Sequence, residues 1–117
     1  MTLQIGNITF DCDDPQKVAA FWSAALERPV DEGGSPFFAS IGVSDPATLP
    51  NWLFLAVPEH KTAKNRLHLD FGSEDRAADV ARLVSLGATH VADKDEWGHS
   101  WAVLTDVEGN EFCVAQV

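Results

Sequence analysis

Two residues in this chain carry side chains suited to holding an ion or moving a proton. His68 stands in the run Arg66-Leu67-His68-Leu69-Asp70-Phe71, and Glu111 opens the run Glu111-Phe112-Cys113-Val114. An imidazole and a carboxylate together can ligate a divalent metal, and either can act as a general base. The corresponding positions in the first half are Thr9 and about Trp52, which are poor ligands. Side chains in a strand alternate between faces, so Asp11 shares the face of Thr9, and Asp70 shares that of His68. If those faces line one pocket, the donors are His68, Asp70 and Glu111, with Asp11 beside them: an oxygen-rich set that suits a hard cation.

Four tryptophans and no tyrosine stand in 117 residues. Trp22 falls in a helical stripe and is assigned to the core. Trp52 and Trp101 fall in strand-like runs, where core packing competes with a ligand-facing role. Trp97 and His99 lie in Asp95-Glu96-Trp97-Gly98-His99-Ser100, which reads as a loop that can cover a ligand or pack on a partner. His60 and His90 read as surface residues. Cys113 shares the face of Glu111, yet the sequence shows no basic neighbour or helix start that would activate its thiol.

The elements that position these residues occur twice. Ile8-Thr9-Phe10-Asp11-Cys12 alternates as a half-buried strand does, Asp14-Pro15 supplies a helix start, and Val18, Phe21, Trp22, Ala25 and Leu26 make an apolar stripe ended by Arg28-Pro29. Leu67-His68-Leu69-Asp70-Phe71 alternates in the same way. Gly72-Ser73 then breaks the strand, Ser73 is the expected cap, and Val80, Leu83, Val84 and Leu86 precede Gly87 at the helix end. Three strand candidates follow each helix: residues 29–31, 37–43 and 52–57 in the first half, and 89–94, 100–105 and 111–114 in the second. Asp106-Val107-Glu108-Gly109-Asn110 supplies the last hairpin turn. The expected fold is α+β: two βαβββ modules that form a curved antiparallel sheet cup with helices on its outer face. The whole of 1–117 reads as one domain, with module 1 at about 3–58, a linker at about 59–65 and module 2 at about 66–117.

The bulk properties exclude several partners. The formal net charge is −10 and basic residues cluster only at Lys61, Lys64 and Arg66, so a nucleic-acid surface is not expected. An acidic chain favours cationic ligands. There is no apolar run of bilayer length and no basic, apolar leader, so no membrane partner is expected and a cytoplasmic location is. Cys12 and Cys113 suit buried, reduced thiols.

The duplicated unit, with His68 in the first strand of one copy and Glu111 in its last, resembles the vicinal oxygen chelate superfamily of glyoxalase I, extradiol dioxygenases and bleomycin-resistance proteins. Lys64-Asn65-Arg66-Leu67-His68-Leu69-Asp70-Phe71, Leu86-Gly87-Ala88 and the stretch from Val103 through Asp106-Val107-Glu108-Gly109-Asn110 to Val114 look like glyoxalase-like single-chain proteins. The resemblance implies two modules around a cup, a homodimer, and metal positions at His68 and Glu111, with a His or Gln expected at Thr9 and a Glu near Trp52. Two of four ligands are therefore missing. The reading this favours is a small-molecule-binding protein with an incomplete metal site, which sequesters or modifies an aromatic or cationic metabolite or antibiotic. Its ligand-facing residues would be Thr9, Asp11, Trp52, Asp70, Trp97, His99 and Trp101. The alternative is a lyase, isomerase or dioxygenase that uses zinc, nickel, manganese or iron on His68 and Glu111, and whether the protein is an enzyme stays open.

Overall fold

Asp14 starts the first helix as its sequence indicates, accepting a hydrogen bond from Lys17 N at 3.2 Å, with Pro15 in the first turn. The computed structural model describes residues 2–45, 47 and 49–117; Met1, Pro46 and Thr48 lie outside them. The order is β1 (Asn7–Cys12), α1 (Pro15–Leu26), β2 (Phe38–Ile41), β3 (Asn51–Ala56), β4 (Leu69–Ser73), α2 (Arg76–Leu86), β5 (Thr89–Glu96), β6 (His99–Thr105) and β7 (Glu111–Gln116). The fold is α+β. The chain divides into two compact units, Met1–His60 and Lys61–Val117.

In the first unit the sheet order is β1-β3-β2. In the second it is β4-β7-β6-β5. Both sheets are mixed rather than wholly antiparallel, because the first strand of each unit pairs in parallel with its last: β1 with β3, and β4 with β7. The strand expected at residues 29–31 is reduced to one bridge, Val30 to Ile41. Pro29 has no N–H to extend that pairing.

The core of the first unit is aromatic. Trp22 and Phe54 are fully buried. The Trp22 ring lies 5.7 Å from Phe10, 5.1 Å from Phe21 and 5.2 Å from Trp52, at tilted and edge-on angles that aromatic pairs favour. Each such ring removed from water contributes about 1.5–3 kcal/mol. In the second unit Leu83, Ala102, Leu104, Phe112 and Val114 are buried, and Phe71 meets Phe112 edge-on. Alternation along β4 and β7 therefore turns Asp70 and Cys113 to the other face. Cys12 and Cys113 are both buried thiols outside any disulfide among the described residues.

The second helix is capped by Asp75, which accepts from Ala78 N, and not by Ser73, which ends β4. The loop expected at residues 95–100 is a two-residue turn, Trp97-Gly98, because β5 and β6 continue pairing up to Glu96 and His99. Both turn residues have positive φ, 53° and 75°, as a tight hairpin requires.

Candidate functional site

The second unit carries a cavity of about 440 Å³, lined by strand residues on the face away from its core together with Lys64 and the β5–β6 turn. His68 stands one residue before β4, still in phase with Asp70, so both side chains enter the same cavity. Cys113 is the ladder partner of Asp70 on the neighbouring strand, and Glu111 precedes it by one alternation. Trp101, Val103 and His99 come from β6. Of the residues expected to act, His68, Asp70, Glu111, Trp97, His99 and Trp101 are thus brought together. Thr9 and Asp11 belong to the first unit, where both are exposed on β1.

Trp52 requires a correction. It is 5% exposed and packs on Trp22 and Phe10, on the α1 side of its sheet. Trp52 as the counterpart of Glu111 is off by one residue relative to the strand ladders. Leu69 pairs with Phe112, so one step back His68 faces Glu111; in the first unit Thr9 pairs with Leu53. The first-unit counterpart of Glu111 is therefore Leu53, which has no donor atom.

The charges in the cavity are unequal. His68 Nδ1 and Asp70 Oδ1 are 2.9 Å apart, a contact that fixes the ring through one nitrogen and leaves the other for a ligand. Glu111 is already engaged: Oε1 accepts from Lys61 Nζ at 2.7 Å and Oε2 from Asn65 N at 2.9 Å. Burial alone would raise its pKa. The Lys61 bond, the Asn65 N–H and the charges of Lys61 and Lys64 outweigh burial and hold it below the usual carboxylate value. Burial, with the adjacent Asp70 charge and a bond to that carboxylate, pushes the Cys113 thiol up to about 11. The nitrogen, carboxylate oxygen and sulfur of His68, Asp70 and Cys113 lie within 4.8 Å of one another.

Trp97 is 83% exposed, and its ring stacks on Trp101 at 6.4 Å and 15°. The hairpin turn accounts for its left-handed backbone and sets the ring at the rim of the cavity.

A second cavity, of about 660 Å³, lies in the first unit among Asp13, Asp14, Gln16, Asp31 and neighbours. Its polar groups already serve the fold. Asp31 accepts from Ser40, Ser44 and Val43 N; Asp13 meets His60; Asp14 caps α1; Gln16 donates to Ser35 and Phe38 carbonyls. Burial tends to raise the Asp31 pKa, and these hydroxyl and N–H donors together bring it below the ordinary value.

Residues 7–115 match the glyoxalase-like domain family. The chain belongs to that family. Its fold is similar to that of a glyoxalase/bleomycin resistance protein/dioxygenase family enzyme from Burkholderia phytofirmans PsJN, at 20% identity and a TM-score of 0.76 over 98% of this chain and 99% of that one. It is also similar to the fosfomycin resistance protein FosX from Listeria monocytogenes, at 12% identity and 0.76 over 100% and 95%. A glyoxalase-related enzyme from Fulvimarina pelagi gives 14% and 0.75 over 99% and 89%. No curated protein matches the chain.

Metal-dependent glyoxalase-like chemistry would place an ion on His68 and Glu111. Here a lysine ammonium sits on Glu111, and the other two positions are Thr9 and Leu53. Those donors do not fit such an ion.

Lys61 and Asn65, which hold Glu111, fall in the linker, and no local signal in the sequence ties them to a strand so far along the chain. Cys113 was placed on the correct face without its pairing to Asp70.

Proposed function

We propose that this glyoxalase-like chain binds a small, flat aromatic or cationic molecule in the second-unit cavity, and acts by sequestering or modifying it. The observation that carries this reading is the Trp97–Trp101 stack bordering the same cavity as the Asp70 carboxylate. A cation over an indole face is worth about 0.5–2 kcal/mol, and a nearby carboxylate adds to it. The cavity volume falls in the range of small-molecule sites. The fosfomycin-resistance and bleomycin-resistance names among similar folds agree with a role against a toxic small molecule.

The test is equilibrium dialysis with a quaternary acridinium dye and its neutral counterpart, in chelator. Saturable binding of the cation is expected, weakened about fivefold to thirtyfold by Trp101→Ala. Asp70→Asn should erase the preference for the charged dye. No saturable binding, or equal binding in both variants, would sink the proposal.

Catalysis at this cavity is the second reading, favoured by the His68–Asp70 pair. Asp70 would hold the ring while the free nitrogen of His68 takes a proton from the bound molecule. Glu111, the other expected base, is occupied by Lys61.

A further inference from the structure

We propose that His68, Asp70 and Cys113 form a binding site for a thiophilic divalent ion, zinc in preference to magnesium or calcium, with Asp70 and Cys113 in place of Glu111. The site does not depend on the aromatic-ligand reading, since a stacked molecule can enter the cavity with or without an ion.

Three observations carry it. The ladder between β4 and β7 sets Asp70 beside Cys113, and His68 follows one alternation away on the same face. The three ligand atoms lie within 4.8 Å of one another. Zinc bonds of about 2.0–2.3 Å set tetrahedral donors roughly 3.3–3.8 Å apart, so about 1 Å of closure completes the set. The His68 and Asp70 side chains are 43% and 64% exposed, which leaves them room to rotate inward while Cys113 stays fixed on its strand. Nitrogen, carboxylate oxygen and sulfur are a zinc or cobalt donor set; magnesium and calcium require oxygen ligands throughout. Along β7 the usable donor has thus moved from Glu111, neutralised by Lys61, to Cys113.

On binding, the Cys113 thiol releases its proton to solvent and its sulfur bonds the ion; no electron is transferred. Three protein donors leave a fourth position for water or an oxygen of a bound molecule.

The full chain, stripped with chelator, is titrated with cobalt(II) and then zinc. One equivalent of cobalt should bind with a thiolate-to-cobalt charge-transfer band that one equivalent of zinc abolishes and magnesium does not. Cys113→Ser should remove the band, Asp70→Asn should weaken cobalt binding by at least about tenfold, and Cys12→Ser should leave both unchanged. Circular dichroism establishes that each variant is folded. Absence of the band in the folded native chain overturns the proposal, as does a band lost in Cys12→Ser but kept in Cys113→Ser. Loss of metal in Glu111→Gln with retention in Cys113→Ser places the ion at the His68–Glu111 pair and overturns it equally. The dye measurement, made in chelator, reads out separately.

Discussion

Cys113 is held as a thiol by its surroundings. Burial first, then the Asp70 charge and hydrogen bond, raise it from 9.0 to about 11. The folded value lies above the unfolded one, so this group's stabilising contribution is complete below about pH 9 and is lost as pH rises through about 11. In metal-free protein, alkylation of Cys113 followed by mass spectrometry should be slow at pH 8 and accelerate towards pH 11. Asp70→Asn removes the charge while keeping an oxygen acceptor, and should speed the reaction at pH 8 by about threefold to tenfold. An unchanged rate would separate Asp70 from the thiol. At this scale the sequence revealed which residues share a face, because alternation is local. It could not reveal that Asp70 and Cys113 are neighbours, or that Lys61 and Asn65 hold Glu111, because strand register and linker path are set by distant pairing.

The two helices end differently. Helix α1 closes on Glu27 at φ 56°, whereas α2 closes on Gly87 at φ 121°. A left-handed residue other than glycine costs about 1–2 kcal/mol, partly offset by the greater chain entropy that glycine loses. Glu27→Gly should therefore raise stability by about 0.5 kcal/mol in a denaturant titration. Gly87→Ala should lower it by about 2 kcal/mol, since a Cβ there also meets Val107 Cγ1 at 2.9 Å. The same sign in both variants would refute the backbone argument. The start of α1 and the Gly87 stop were legible, since Asp14-Pro15 and Gly87 have direct conformational meaning; the cap of α2 was not, because Ser73 and Asp75 are both capping residue types and the length of β4 decides between them. The end of α1 was legible in Arg28-Pro29, but the left-handed geometry of Glu27 has no sequence signature. Most residues of β5 are exposed, so its outer end, Asp95-Glu96, reads as loop in sequence although it pairs with His99 and Ser100.

Across the whole molecule the duplication was legible, since a strand, a helix and further strands recur with the same alternation, although the second strand of the first unit shrinks to a bridge. The mixed sheets were not, because the direction of pairing between first and last strands leaves no local pattern. No helix among the described residues is long and apolar enough to cross a membrane. The second unit begins at Lys61, where Glu111 ties Lys61 and Asn65 to β7. The lowered Glu111 pKa means that this tie stabilises the fold above about pH 4.5 and is lost as pH falls through the folded value. Glu111→Gln should open residues 61–66 and quicken tryptic cleavage at Lys61, Lys64 and Arg66 about fivefold at neutral pH, corresponding to about 1 kcal/mol of local opening. An unaltered digestion rate would deny the tie that role. In the second sheet, β7 lies between β4 and β6 although it is the last of the four to be synthesised. His68 and Asp70 leave the ribosome well before Cys113, and they acquire a binding partner only when that final strand inserts between its neighbours. Such non-local pairing is the slow part of assembling a sheet. The cavity therefore exists only in the finished unit, because a chain that lacks its last strand lacks the wall that carries Glu111, Cys113 and Ala115.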